Sequence, residues 1–559
     1  MEFVLALHSH LPYVLNHGRW PHGSDWLCEA ALDTYLPLLE QLDALSAEGT
    51  PAPLTIGFTP VLANQLTSPT FTREMDAFFA QRLAACDAAP ASLATTGDQA
   101  LLPLVSFWRS RLTRLQALFW SLNGDLLSAF RRLQERGRLE IMGSAATHGY
   151  LPLLARDESI RLQLAVGREE HRRLFGVTPV GCWLPECAYR PRQKGRRGIE
   201  EHLADAGFRY FFTDAHLAHA GSPLGAYGDI PLGTERFDAE RHDQPARAAP
   251  TARRGKTAHS PYRAYRVSRS ARGRPTVAAL VRDPRSSMQI WSRHQGYPGD
   301  ESYLEFHKIR WPGGLKLWRV SGPNVDLGAK RPYEPSTAYA RARDHASHFV
   351  HLLETIAQQQ RASADGGGVI VAPFDTELFG HWWFEGPDFL AAAYRTLHGR
   401  AVAAVTASHH LEAHPPRTGV QLAEGSWGAN GDHSMWLNDR TAWTWTRLRA
   451  LEEAFWRAAP AALEAEPARP VLAQAARELL LAQASDWQFI ISTGAVVDYA
   501  ERRFILHCDD AERLLAPLQG ILSGDRGQVE PARKAADELQ RRDDLFPNVL
   551  AQVAEALGG

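Results

Sequence analysis

What the chain lacks narrows its class before any motif is considered. No apolar run in its 559 residues reaches the ~18 residues that a membrane helix needs. The amino terminus, Met1-Glu2-Phe3-Val4-Leu5-Ala6-Leu7, has no basic region ahead of its apolar stretch, so it reads as a strand rather than a signal peptide. Net charge is only −2, too little to gather nucleic acid or an anionic membrane surface. The five cysteines (Cys28, Cys86, Cys182, Cys187, Cys508) are odd in number and show no CxxC spacing. A reduced, cytoplasmic protein is expected, not a disulfide framework. There is no internal repeat either, which argues against a solenoid or propeller.

What the chain has is an ordinary globular composition, 45% apolar and 22% charged, over a length that suggests about two to four domains. It also carries 16 Trp and 23 His. About half of these serve as core; many of the others stand at strand ends. Seven short apolar runs read as strands: Glu2–Leu7, Pro53–Phe58, Leu139–Gly143, Val180–Leu184, Tyr210–Thr213, Thr276–Arg282 and Val369–Phe374. Continuous apolar runs suit parallel strands buried on both faces. Amphipathic stretches lie between several of them, at 29–45, 119–135 and 338–358. This alternation predicts an α/β parallel sheet, and seven strands suit a (β/α)7 incomplete TIM-like barrel. Residues 1–410 would form it, with helical insertions at about 60–137 and 187–275. From 411 to 559 the pattern turns helical, with candidate helices at 448–459, 470–484, 495–518, 528–541 and 547–557.

Barrel chemistry sits at the carboxyl ends of strands. His8, His10, Thr59, His148, Glu186, Asp214, His216, Arg282 and Asp375 all fall there. Glu186 follows Trp183-Leu184-Pro185 and is a candidate nucleophile; the plain alternative is an ion pair with Arg190 or Arg192. Asp375 closes its strand ahead of Thr376-Glu377-Leu378-Phe379-Gly380-His381-Trp382-Trp383. It is a candidate acid, against the alternative of capping the next helix, and Glu377 competes for the role. Two carboxylates walled by rings are how glycosidic bonds are cut and remade.

His8 and His10 share one side of a strand by their period of two. With His148 they could ligate a metal, as in metal-dependent polysaccharide deacetylases on similar barrels, or donate hydrogen bonds to sugar hydroxyls. The aromatic content favours sugar, and no HxxxH pair sits near an acid among these strand-end residues. The segment Glu424-Gly425-Ser426-Trp427-Gly428 through Trp436 is Gly-rich, so its Trp residues are expected to stack on a ligand; Trp443 and Trp445 start a helix and are expected in the core. The stretch from Arg236 to Ser260 has no apolar periodicity and reads as an exposed basic loop. No aromatic residues interleave its charges, so a nucleic-acid partner is not expected.

These residues resemble glycoside hydrolase family 57 α-glucan branching enzymes over nearly the whole chain. The resemblance rests on His8-Ser9-His10-Leu11-Pro12, Gly143-Ser144-Ala145-Ala146-Thr147-His148-Gly149-Tyr150, Trp183-Leu184-Pro185-Glu186, Asp375 through Trp383, and the Trp427 segment. It implies a barrel with a small inserted helical domain and a helical C-terminal domain. It implies a retaining mechanism with Glu186 as nucleophile and Asp375 as acid/base, which suits carboxylates ~5–5.5 Å apart. Arg282, Gly299, Trp427 and Asp486 look like substrate contacts, Trp291 and Trp436 like aromatic gates of the acceptor groove, and Tyr227 like the tip of an active-site loop. His10 and His148 are expected to meet sugar. The implied partner is an α-glucan such as amylose, with no metal or organic cofactor. The Arg236–Ser260 stretch is longer than the family pattern and bears on whether water or glucan meets the glycosyl-enzyme. A 4-α-glucanotransferase or α-amylase is the near alternative, and Ser485-Asp486-Trp487 in the helical part favours branching over it. A non-catalytic glucan-binding protein is disfavoured by the paired carboxylates.

Overall fold

The computed structural model of the chain describes residues 1–19, 22–224, 259–267, 276–291, 296–361 and 367–558. Tyr227 and nearly all of the basic Arg236–Ser260 stretch lie outside the described residues. Ten strands occur among the described residues: β1 (Glu2–Ser9), β2 (Leu54–Phe58), β3 (Leu139–Ser144), β4 (Gly181–Trp183), β5 (Tyr210–Thr213), β6 (Tyr265–Val267), β7 (Ala278–Val281), β8 (Val369–Asp375), β9 (Ala403–Ala404) and β10 (Gly419–Val420). All seven expected strands are there, within two residues at either end. Their continuous apolar character is explained by burial: every residue of β2, β4, β5 and β7 is buried, and all of β1 but Glu2.

The chain divides into two compact units. One comprises residues 1–142, 171–177 and 285–414; the other comprises 143–170, 178–284 and 415–559. In the first unit the parallel order is β8-β1-β2-β3, with β9 also paired to β1. The register sets His8 opposite both Gly57 and Asp375. Long helices Leu102–Ser121, Pro335–Gln360 and Gly386–Leu397 accompany this sheet. The expected helix at 119–135 is broken, because Asn123 and Gly124 adopt positive φ of 54° and 74°; a second helix restarts at Leu126, capped by Asp125. The expected helix at 29–45 is continuous in direction but passes through a π-helical turn, Ala31–Tyr35.

In the second unit the last two residues of β3 pair with β4, which pairs with β5, which pairs with β7, all parallel. β6 joins β7 antiparallel and β10 joins β6. The same unit holds helices Ala442–Glu464, Arg469–Ala482, Asp486–Thr493, Val497–Leu515, Leu518–Leu522, Arg526–Arg542 and Val549–Gly558. Arg469–Ala482 is buried along most of its length, with its buried Gln474, Arg477 and Glu478 tied by hydrogen bonds. Of the two tryptophans expected in this core, Trp445 is buried and gives its indole N–H to the Trp436 carbonyl at 2.7 Å. Trp443 is 38% exposed. One residue separates them on the helix, so they point about 200° apart and only one can face inward.

Candidate active site

Glu186 stands at the end of β4 in a tight turn with φ 59° and ψ 22°. A non-glycine residue in this left-handed region costs roughly 1–3 kcal/mol, and such residues gather at functional sites. His148 shares the feature, with φ 58°. The Glu186 carboxylate is divided between two sets of partners. Oε2 accepts the indole N–H of Trp427 at 2.8 Å. Oε1 lies 3.4 Å from the Ser485 hydroxyl and 3.7 Å from His148 Nδ1. Ser485 is fixed in turn, since its hydroxyl lies 2.9 Å from His148 Nδ1 and its backbone N–H donates to the His148 carbonyl at 3.1 Å. The Trp427 backbone N–H closes onto the Glu186 carbonyl at 3.1 Å. The alternative ion pairs do not form: Arg192 binds Glu201, and Arg190 makes no hydrogen bond to Glu186.

The surroundings hold Trp427 in place. Its ring meets Trp183 edge-on, with centroids 5.3 Å apart. The Arg282 guanidinium lies 5.5 Å from the Trp427 ring centroid and bonds the Asp214 carboxylate at 3.1 Å. Burial works against ionised Asp214, but His216 and Arg282 outweigh it and keep that carboxyl below its usual range. Tyr150 stacks on Trp436 at 4.6 Å and shares a hydrogen bond with His433. Burial, with the Glu186 charge nearby, pushes the Tyr150 hydroxyl well above its usual value.

The first unit presents the other set of candidates. Asp375 ends β8, half-buried, and occupies the cap position of the turn Thr376–Leu378 without making a side-chain cap bond. The capping alternative is therefore not realised. Its competitor Glu377 is buried and committed: it accepts from the Tyr35 hydroxyl and from the His10 backbone N–H. Burial pushes Glu377 up to about 7 against the pull of those hydrogen bonds. Beneath them the Ser9 and Thr376 hydroxyls bond at 2.8 Å. His10 Nδ1 lies 2.9 Å from Thr59 Oγ1, and the His8 and His10 rings stack at 6.1 Å. Burial and His10 both lower the His8 pKa.

The other predicted residues fall as follows. Trp291 ends the helix Pro284–Trp291 and tilts against Phe374 at 6.3 Å. Gly299 closes the turn Tyr297–Gly299. Asp486 opens the helix Asp486–Thr493 beside Ser485. Arg282 and Trp436 are fully buried and Trp427 is 3% exposed. Packed this deeply, the three side chains brace the residues around Glu186. The Gly-rich loop explains why: Gly425 has φ 155° and any Cβ there would stand 2.2 Å from the Gly431 carbonyl oxygen, so the loop folds tightly on itself and its rings turn inward. The structure adds Tyr35 to the site and gives Ser485 a contact with Glu186 of its own. Ser485 had a signal, its place beside Asp486; Tyr35, on a π-turn far from any strand end, had none.

Residues 4–423 match the profile described as Glycosyl hydrolase family 57, and residues 447–553 match that of 1,4-alpha-glucan branching enzyme, C-terminal. The chain is 38% identical to the 1,4-alpha-glucan branching enzyme TK1436 of Thermococcus kodakarensis, over 98% of this chain and 77% of that one. It superposes on the solved GH57-type branching enzyme of Pyrococcus horikoshii with a TM-score of 0.86, at 36% identity, covering 99% and 96% of the two chains. It also resembles the alpha-amylase AmyC of Thermotoga maritima, with a TM-score of 0.79 at 28% identity, over 98% and 99%. The fold class read from the sequence, an incomplete TIM-like (β/α)7 barrel with a helical C-terminal domain, is the one shared with these structures.

Proposed function

The chain belongs to glycosyl hydrolase family 57, and on that premise we propose that it is a retaining 1,4-α-glucan branching enzyme. One observation carries the choice of branching. Ser485, in the helical segment that matches the branching-enzyme C-terminal profile, faces the Glu186 carboxylate at 3.4 Å. The helical part thus contributes to the surroundings of the proposed nucleophile, and is more than an appendage to a hydrolase.

Glu186 attacks C1 of a glucosyl unit while Asp375 gives a proton to the departing O4, leaving a glycosyl-enzyme ester. Asp375, now a carboxylate, takes the proton of an acceptor 6-hydroxyl. That oxygen attacks C1, Glu186 is released, and an α-1,6 branch is formed with two inversions and net retention. The two oxygens of Glu186 suit different tasks. One accepts a charge-assisted bond from the Trp427 indole; the other faces the Ser485 hydroxyl and His148. The commitment of Glu377 to Tyr35 and His10 supports Asp375 as the acid/base. His10, His148, Gly299, Trp291, Asp486 and Tyr227 are proposed as substrate contacts, and Arg282, Trp427 and Trp436 as positioning residues. We place the catalytic domain at 1–410 and the helical domain at 411–559.

No described helix is long and apolar enough to cross a membrane; a soluble α-glucan is the proposed substrate and the cytoplasm the proposed compartment. The test is incubation with amylose, following iodine stain, reducing ends and α-1,6 linkages. Loss of stain with new branches and few new reducing ends is expected. Loss of stain with reducing ends and no branches would place the chain with the amylases.

A further inference from the structure

The first unit carries another cluster, at the amino ends of its strands, that the proposed chemistry does not use. Glu2 is the first residue of β1; His410 lies on the helix Ala407–Ala413 and His414 is the residue that ends it. Glu2 Oε2 lies 2.6 Å from His410 Nδ1, and Glu2 Oε1 lies 3.9 Å from His414 Nε2. The two rings are 5.3 Å apart. The spacing of four puts both imidazoles on one face of the helix, a turn apart. One carboxylate therefore offers an oxygen to each imidazole, and three ligand atoms lie within 4.8 Å of one another.

We propose that Glu2, His410 and His414 form a binding site for a zinc-type divalent transition ion. Two imidazoles and a carboxylate suit zinc, nickel or copper, whereas magnesium and calcium take oxygen. Tetrahedral bonds of 2.0–2.2 Å set ligand atoms about 3.4 Å apart, a value that the observed 2.6 and 3.9 Å bracket. The His414 side chain, 34% exposed, can swing inward to shorten the 3.9 Å gap, and the partly exposed Glu2 carboxylate can turn from His410 to widen the 2.6 Å one. No described lysine or arginine pairs with Glu2. The contrast is the buried trio Glu478, His507 and Asp543 in the helical part. There the Arg542 guanidinium already lies 2.6 Å from Asp543 and 3.7 Å from Glu478, and Arg503 lies 3.1 Å from His507. A fixed cation fills the place of an ion in that trio, and none does so at Glu2. The ion would act as a clasp, since Glu2 also pairs in register with Val369 and Ala403. Six residues of extended chain, ~20 Å, separate it from His8, so its effect falls on stability and not on glycosyl transfer.

The test uses the full-length protein, freed of metal by EDTA and titrated with zinc chloride by calorimetry and in thermal melts. The wild type is expected to take up one equivalent that His414→Ala binds at least tenfold more weakly, and zinc is expected to raise the melting temperature of the wild type only. His414→Ala leaves the Glu2–His410 bond intact, so its fold should survive; Glu2→Gln is the second variant and should lose the same equivalent. Equal zinc affinity in wild type and His414→Ala, or no zinc uptake by the wild type, overturns the proposal. Branching by metal-free His414→Ala should equal that of the wild type, so this outcome is independent of the proposed reaction.

Discussion

At the scale of single residues, the chemistry turns on how one carboxylate is held. The Trp427 indole gives Glu186 a charge-assisted hydrogen bond at 2.8 Å, worth about 1.5–3 kcal/mol. Trp427→Phe keeps the ring between Trp183 and Arg282 but removes the donor. Its kcat/KM on amylose should fall by roughly 10- to 100-fold, with the melting temperature within a few degrees of the parent. Unchanged kcat/KM would show that the bond does not hold the nucleophile. Both candidate carboxylates were legible as polar residues ending apolar runs, because a buried parallel strand is continuous in hydrophobicity and its end is sharp. The partners were not legible. Ser485 and Trp427 reach Glu186 from positions 299 and 241 residues away, and nothing local in a sequence records such meetings. Likewise Trp427 and Trp436 looked like ligand platforms because glycine-rich loops usually leave rings exposed, whereas this loop curls back on itself.

At the scale of elements, that loop is the informative piece. Gly425 bridges Tyr189 by two backbone hydrogen bonds, 2.8 and 3.0 Å long, two residues before Trp427. Gly425→Ala would set a Cβ 2.2 Å from the Gly431 carbonyl oxygen and 2.8 Å from Leu217. Neither the φ of 155° nor the backbone neighbour is easily relieved. The variant should melt several degrees lower and lose most of its branching activity; a melt and an assay that match the wild type would mean that the loop has slack. Elements with a marked apolar run or helical period were found from sequence, including the seven expected strands and the helical tail. The strands missed are β6, β9 and β10, two or three residues each. The break at Asn123-Gly124 had a sequence signal, an Asn-Gly pair that favours positive φ, overridden in the reading by the apolar spacing around it.

At the scale of the whole molecule, buried ionisable groups set how stability follows pH. Glu385 is fully buried, accepts from the Tyr333 hydroxyl at 2.6 Å and the Leu304 N–H at 3.1 Å, and is pushed up to about 7 by burial. A carboxyl raised in the fold favours folding while protonated, and that contribution is lost as pH rises from about 4.5 through 7. Buried His171 and His381, pushed down to about 3 and about 4, act in the opposite sense at lower pH. The clean observable is therefore a difference. Glu385→Gln should match or trail the wild type at pH 5 and gain on it up to pH 8, by at most on the order of 3 kcal/mol; a pH-independent difference between the two denaturant curves would show that Glu385 titrates normally. The topology has a further consequence, in time. β1 leaves the ribosome long before its β8 neighbour, and the Ser9–Thr376 bond joins positions 367 apart. At 5–20 residues per second, β1 waits roughly 20–70 s with one edge open. Nascent chains stalled before residue 369 should hold β1 open to protease and to chaperones, and those stalled well beyond 404 should not.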